Sequence, residues 1–178
     1  MKERQSGVLM HISSLPGKYG IGSFGKSAYD FVDFLVRTKQ RYWQILPLGT
    51  TSYGDSPYQS FSAFAGNTHF IDLDLLIKEG LLQESDLNGV DFGSDPKAVD
   101  YAKIFEARRP LLEKAVKNFL QSSDLKAYKK FVADNANWLD LYVDYMAIKE
   151  HFDLAAWTEW SDEDIRLRKP EAVSYTHL

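Results

Sequence analysis

The sequence predicts an α/β fold that opens with a parallel strand–helix–strand unit and continues into a mostly helical half. Residues 8–12 and 42–46 are short apolar runs bounded by turn residues, which is typical of buried strands. Between them, one buried helix face is predicted by residues at i, i+3, i+4 and i+7: Ala28, Phe31, Val32 and Leu35. A strand, a helix and a second strand in so short a stretch favour parallel pairing. One such unit does not close a sheet, so we expect an α/β domain that these residues begin and do not finish.

Local signals predict where the helices of the first half begin and end. Ser27 with Asp30 three residues later resembles a capping box, so the first helix is predicted to start at Ser27. A short helix is predicted over residues 74–79, ended by Gly80. Residues 49–67 have no clear period, and a loop of that length in a compact domain is usually functional.

The second half is predicted to be helical after a linker-like stretch over residues 88–96. Pro110 suits the first turn of a helix or a kink. Apolar residues at helical spacing form three stripes, which we interpret as packing faces and not as a cofactor site. The stripes are Leu112, Ala115, Val116 and Phe119; Tyr128, Phe131 and Val132; and Leu139, Tyr142, Val143 and Met146.

Composition excludes several classes of function. The formal net charge of −4, without a strongly basic block, argues against nucleic acid as the main partner. The absence of cysteine excludes disulfides and cysteine-ligated metals, and no metal or other cofactor is predicted. The polar start of the chain and the lack of a long apolar run predict a cytoplasmic protein without a membrane partner. The aromatic content of 14% fits either a sugar-binding protein or a large aromatic core.

Residues 20–27, GIGSFGKS, match both the phosphate-binding P-loop pattern and the dinucleotide fingerprint. In both motifs the first glycine follows the strand directly, whereas here residues 13–19 intervene. No acid stands at the place that the dinucleotide motif requires, and Asp72 is only a weak candidate for a magnesium ligand. We therefore favour a glycine-rich connection packed tightly against a helix, and keep a P-loop nucleotide-binding protein as an alternative.

Six segments stand out by their composition and order: residues 6–16 (SGVLMHISSLP), 19–22 (YGIG), 43–49 (WQILPLG), 54–60 (GDSPYQS), 62–67 (SAFAGN) and 71–73 (IDL). In their order and spacing, these segments together resemble glycoside hydrolase family 77, the amylomaltases or 4-alpha-glucanotransferases. The resemblance covers about residues 3–173, and Trp157 with Trp160 fits the family's W-x-x-W.

The resemblance implies a fold: the N-terminal portion of a (β/α)8 TIM barrel, within a much longer chain. Residues 1–77 would supply the first two barrel strands and the long loop after the second, and residues 78–173 a mostly α-helical insertion. In such barrels the active site lies at the carboxyl ends of the strands. The long loop over residues 49–67 would therefore lie on the active-site face.

The implied activity is transfer of alpha-1,4-glucan segments between maltooligosaccharides by a retaining double displacement. In such a reaction one carboxylate forms a glycosyl-enzyme and a second serves as acid and then base. In this family both lie on later barrel strands, so we expect no catalytic carboxylate in these residues and no activity from this chain alone. The expected partners are maltooligosaccharides and alpha-1,4-glucans. A non-catalytic carbohydrate-binding module is a further alternative.

What the resemblance does place in this chain is substrate binding. Tyr58 matches the family tyrosine that packs on the sugar at the subsite where cleavage occurs, and Ser56 and Asp55 match neighbours that shape this subsite. Other interpretations stay open: Tyr58 in the core, Asp55 as a cap of the following turn, His11 as a buried and satisfied histidine. Asn67 is expected to fix the geometry of the loop.

The final residues depart from the family pattern. Residues 173–178, VSYTHL, resemble the translation of an adapter used in preparing DNA libraries. We therefore interpret residues 174–178 as a non-native tail.

Overall fold

The computed structural model describes residues 4–51, 55–121 and 124–169. The predicted tail at residues 174–178, and Gly54 at the start of one family-like segment, lie outside the described residues. The chain divides into two compact units, Met1–Ser123 and Asp124–Leu178. Each unit is described by itself.

The first unit opens with the parallel strand–helix–strand arrangement that the sequence predicts. It consists of β1 (Gly7–Leu9), α1 (Lys26–Arg37) and β2 (Tyr42–Gln44). Val8 lies opposite Trp43 in a parallel register, which confirms the predicted pairing. The strands are shorter than predicted, because Ile12 already belongs to a 3-10 turn (Ile12–Ser14). Among the described residues the sheet has these two strands.

The predicted capping box at Ser27 is wrong. Gly25 is the N-cap of α1, with extended backbone (φ −100°, ψ −153°), and its carbonyl accepts the N–H of Ala28 at 3.0 Å. Ser27 therefore lies inside the helix, and Asp30 pairs instead with Lys26 at 2.6 Å on the exposed face. The helix starts earlier because a glycine supplies the extended cap without any side-chain contribution.

Two more helices complete the first unit: α2 (Leu73–Lys78) and α3 (Tyr101–Leu120). The carboxylate of Asp72 caps α2 by accepting the N–H of Leu75 at 3.0 Å. Gly80, at φ +75°, follows the helix in the left-handed conformation, close to the predicted end.

The predicted packing stripe of α3 is displaced. The buried face consists of Ile104, Arg108, Leu111 and Ala115, whereas Val116 is 54% exposed. Pro110 lies in the helix interior and not in its first turn. Helical spacing alone is compatible with either of two adjacent faces of α3 as the buried one. The predicted stripe corresponds to the face without Arg108.

A single hydrophobic cluster holds the first unit together. It joins Ile12 after β1, Leu73 of α2 and Ile104 of α3, each at most 1% exposed. Residues on both sides of position 77 therefore share one core. The predicted boundary at residue 77 separates barrel residues from residues of a helical insertion. That assignment stays a prediction.

The second unit is built on α4 (Lys126–His151) and α5 (Glu163–Arg166). Its small core contains Ile148, Trp160 and Ile165, with Phe152 stacked on Trp160 at 5.6 Å between ring centroids. The two apolar stripes predicted along α4 are largely not buried within the described residues of this unit. Tyr128, Phe131 and Val143, for example, are exposed. Over the described ranges, no helix is long and apolar enough to cross a bilayer. The cytoplasmic location stays a prediction.

Candidate functional site

A cavity of about 130 Å³ lies at the carboxyl ends of the two strands. Parallel strands end at the same edge of a sheet, so the residues that follow β1 and β2 meet there. His11 comes from the first strand end and Leu46 from the second. The lining is completed by Ser13, Ser14, Pro47, Gly49, Thr51, Asp55, Pro57, Asn67, Phe70 and Tyr101.

His11 both lines the cavity and is structurally satisfied. Its Nδ1 accepts the N–H of Leu46 at 3.3 Å, which ties the two strand ends together. Its ring meets Phe70 edge-on, with centroids 5.3 Å apart. Burial lowers the pKa of His11, so its imidazole is neutral at neutral pH. The interpretation of His11 as a buried, satisfied histidine is confirmed.

The long loop returns to the end of β2 and so encloses the cavity. Gly49 and Gly66 form an antiparallel bridge, and the N–H of Asn67 donates to the carbonyl of Leu48 at 2.8 Å. The side-chain oxygen of Asn67 accepts the N–H of His69 at 2.9 Å, which caps the 3-10 turn Thr68–Phe70. Asn67 therefore fixes the loop geometry, as the sequence predicts.

The three predicted substrate-binding residues lie together on this loop. Asp55 lines the cavity in the left-handed conformation (φ +55°), and burial raises the pKa of its carboxyl group. The hydroxyl of Ser56 accepts the N–H of Tyr58 at 3.4 Å and orders the turn. Tyr58 is 72% exposed, so it lies outside the core that the described residues of this chain form. Their roles in binding substrate stay predictions.

Tyr101 is a site residue that sequence reasoning missed. It begins α3 behind its N-cap Asp100, whose carboxylate accepts the N–H of Lys103 at 3.1 Å. Tyr101 and Asp55 line both the first cavity and an adjoining open cleft of about 510 Å³. Asp100 predicts the start of a helix, because aspartate is a common N-cap residue. No local sequence pattern indicates that this end of α3 lies near the carboxyl ends of the strands.

The glycine-rich segment over residues 20–27 serves packing, and the nucleotide-binding alternative is not supported. A Cβ at Gly22 would overlap the carbonyl of Ile12, and one at Gly20 (φ +73°) would overlap that of Phe92. At Gly25, the N-cap of α1, a Cβ would overlap the carboxylate of Asp72. That carboxylate also accepts the hydroxyl of Ser23 at 2.6 Å. The carboxylate of Asp72 thus lies beside the start of α1, which is where a nucleotide-binding motif would hold a phosphate.

Within the part of the chain that the structure describes, no group of three histidines or acids is arranged to hold a metal. Among the described residues that line the first cavity, Asp55 is the one acid. The lining combines the neutral imidazole of His11 and the carboxyl group of Asp55 with hydroxyl, amide and aromatic side chains. Such a lining suits an uncharged, hydroxyl-rich ligand that both stacks and forms hydrogen bonds.

The family model of glycoside hydrolase family 77, described as 4-alpha-glucanotransferase, matches residues 10–177. The chain belongs to this family. It is 75% identical over 173 residues to the 4-alpha-glucanotransferase of Streptococcus pneumoniae (strain TIGR4), covering 97% of this chain and 34% of the relative. It is 54% identical over 164 residues to the enzyme of the same name from Clostridium butyricum, covering 92% and 33%.

Among solved structures, the chain is similar to the amylomaltase from Streptococcus agalactiae in complex with acarbose. The TM-score is 0.93 at 56% sequence identity, covering 97% of this chain and 35% of that one. The chain therefore spans about a third of the length of the curated relatives it matches.

Proposed function

We propose that this chain forms the start of the catalytic barrel of a 4-alpha-glucanotransferase, which transfers alpha-1,4-glucan segments between maltooligosaccharides. The observation that carries the proposal is the cavity at the carboxyl ends of two parallel strands, in a fold with a TM-score of 0.93 to an amylomaltase. Active sites of (β/α)8 barrels lie at this end of the strands.

The proposed architecture assigns residues 1–77 to the barrel and residues 78–173 to a helical insertion. β1 and β2 are the first two barrel strands, and the loop between Gly49 and Gly66 is the connection after the second. α3 contributes Tyr101 to the cavity, so the insertion takes part in the site. The remaining strands come from residues outside this chain.

The proposed chemistry is a retaining double displacement in which two carboxyl groups act on either side of the glycosidic bond. One forms the glycosyl-enzyme; the other protonates the leaving oxygen and later deprotonates the 4-hydroxyl of the acceptor. Both belong to later strands. The described residues of this chain bind and orient the sugar, and no cofactor enters the scheme.

Tyr58, Ser56 and Asp55 form the proposed contact with the sugar. The exposed ring of Tyr58 is free to lie on the apolar face of a pyranose. Ser56 orders the turn that presents the ring. Asp55 offers a carboxyl group at the cavity wall, where it can bond to sugar hydroxyls.

The proposed partners are maltooligosaccharides and alpha-1,4-glucans, encountered in the cytoplasm. The solved amylomaltase binds acarbose, a sugar analogue, which supports this substrate class. The acidic net charge of −4 does not favour nucleic acid.

The test uses the complete protein that contains these residues, incubated with maltotriose. We expect glucose together with a ladder of longer maltooligosaccharides, because transfer shortens one chain and lengthens another. The 178-residue chain alone serves as the control and should leave maltotriose unchanged. Release of glucose without longer products would identify a hydrolase, and no turnover by the complete protein would overturn the proposal.

A further inference from the structure

Arg108 is a buried cation held by a backbone carbonyl. Its side chain is 1% exposed, in the middle of the apolar face of α3. Its Nη2 donates to the carbonyl of Ile71, and its buried Nε has no hydrogen-bond partner. Burying a guanidinium without a paired carboxylate is costly, so packing alone does not account for an arginine here.

Asp72, the acid whose charge acts on Arg108, does not form a salt bridge with it. The charge of Asp72 favours the cation, but both of its oxygens are bonded elsewhere, to Ser23 and to the N–H of Leu75. Burial lowers the pKa of Arg108 to about 10, which still leaves it charged at neutral pH. The cation is therefore directed at the Ile71 carbonyl.

Arg108 lies against the short segment that forms one wall of the cavity. Asn67 and Phe70 of this segment line the cavity, and the next carbonyl along the chain is that of Ile71. α3 packs on the 3-10 turn Thr68–Phe70, where Phe105 meets His69 edge-on with centroids 6.5 Å apart.

His69 is kept neutral beside this cation. Burial, with repulsion from Arg108, lowers the pKa of His69 to about 4. A neutral imidazole does not repel Arg108, so the guanidinium can stay close to the turn. The buried Nδ1 of His69 has no hydrogen-bond partner, like the Nε of Arg108.

We propose that Arg108 is a positioning residue: its bond to the Ile71 carbonyl fixes the wall formed by residues 67–71 relative to Tyr101, two turns earlier on α3. The proposal rests on the proposed function, because it assigns a role in sugar binding to a residue that does not line the cavity. A wall residue displaced by a fraction of an ångström weakens every contact it makes with a bound sugar.

The test compares Arg108→Met with Arg108→Lys in the complete protein, with Arg109→Met as the matched control. Arg109 is the next residue on α3 and pairs with Glu113 at 3.0 Å on the surface. In Arg108→Met we expect the KM for maltotriose to rise about tenfold while kcat stays within about twofold, since a binding wall and no catalytic group is disturbed. Arg108→Lys should recover part of this loss, because an ammonium can still donate to the carbonyl.

Two further readouts do not depend on activity. Hydrogen exchange at the amides of Phe70 and Ile71 should accelerate in Arg108→Met and remain normal in Arg109→Met. The pKa of His69, followed by NMR, should rise in Arg108→Met, because one of the two causes that lower it is removed. If the complete wild-type protein has no transfer activity, the proposed function fails, and these two readouts still decide whether Arg108 holds the wall.

A folded Arg108→Met variant with unchanged KM, exchange and His69 pKa would overturn the proposal. Should Arg108→Met fail to fold, Arg108→Lys decides: faster exchange at residues 70–71 with a raised KM supports the role, and wild-type values reject it.

Discussion

Single residues of the first unit are constrained by contacts with distant parts of the chain. The carboxylate of Asp72 illustrates this at the residue scale. It caps α2, accepts the hydroxyl of Ser23, and occupies the space beside Gly25. One acid thus joins the start of α1 to the start of α2.

A methyl group at Gly25 should therefore be destabilising. Gly25→Ala must displace the Asp72 carboxylate, which loses its bond to Ser23 or to the N–H of Leu75. We expect the free energy of unfolding of the complete protein to fall by about 1–3 kcal/mol, measured by urea denaturation. Gly66→Ala is the control, because a Cβ there meets nothing within 4 Å. A loss of stability as large in Gly66→Ala would contradict the explanation.

His69 should make the stability of the first unit sensitive to acid. Its pKa is about 4 when folded, below its ordinary value of 6.5, so the unfolded chain binds the proton more readily. Stability therefore falls as the pH is lowered from about 6.5 towards 4, by up to about 3 kcal/mol.

Replacing the imidazole tests that contribution. In His69→Asn the slope of unfolding free energy against pH should flatten between about pH 6.5 and 4, relative to wild type. Denaturation at several pH values gives the two curves. Identical slopes would show that the environment of His69 is not the one described.

Tyr58 should affect binding and not stability. Its ring is 72% exposed in this chain, so Tyr58→Ala removes no packing from the core that the described residues form. In the complete protein we expect transition-state stabilisation, measured as kcat/KM for maltotriose, to fall by roughly 1–3 kcal/mol, the range of a lost ring contact and hydrogen bond. Tyr58→Phe separates the two, since it keeps the ring and removes the hydroxyl. Normal transfer by Tyr58→Ala with a lowered Tm would identify a structural residue instead.

At the scale of elements, α1 is positioned by its N-terminal glycines and by one buried face. Ala28 and Leu35 are buried, whereas Tyr29, Val32 and Val36 leave an apolar face exposed. In the proposed barrel, neighbouring helices outside this chain cover that face.

The lysine of the P-loop-like segment should be dispensable. The side chain of Lys26 is 84% exposed and, among the described residues, pairs with Asp30, one turn later on α1. Lys26→Ala should change the unfolding free energy by about 0.5 kcal/mol or less, as exposed helix pairs do. Neither form should bind ATP in a calorimetric titration. ATP binding by wild type that Lys26→Ala abolishes would restore the nucleotide-binding alternative.

At the scale of the whole molecule, β1, β2 and the residue that follows β2 present uncovered apolar side chains. Leu9 is 57% exposed, Tyr42 60% and Ile45 37%. Unpaired strand edges with such residues favour aggregation. We expect the 178-residue chain expressed alone to be poorly soluble, with circular dichroism showing more helix than strand. Strong hydrogen-exchange protection of both strands in a soluble monomer would contradict this.

The complete protein should bury the same positions. There, Leu9→Ala should lower the free energy of unfolding by about 2 kcal/mol or more, because later barrel elements are proposed to cover Leu9. Urea denaturation of the complete protein measures the change. A loss below about 0.5 kcal/mol would mean that Leu9 stays at the surface and that the proposed barrel closure is wrong.

The sequence by itself determined the order of strand, helix and strand, their parallel pairing and the family, because these depend on local periodicity and on motifs in a set order. It also indicated the loop that carries Asp55, Ser56 and Tyr58. The tertiary structure alone decided that Gly25, the cap of α1, lies against the carboxylate of Asp72, since that acid comes from the start of α2. It alone brought Tyr101 to the strand ends and buried Arg108, a residue type that is mostly exposed in folded proteins. The reason is physical, because contacts between distant segments depend on how apolar faces pack. Every residue has a backbone carbonyl, so the sequence does not indicate which one accepts a hydrogen bond from a buried arginine.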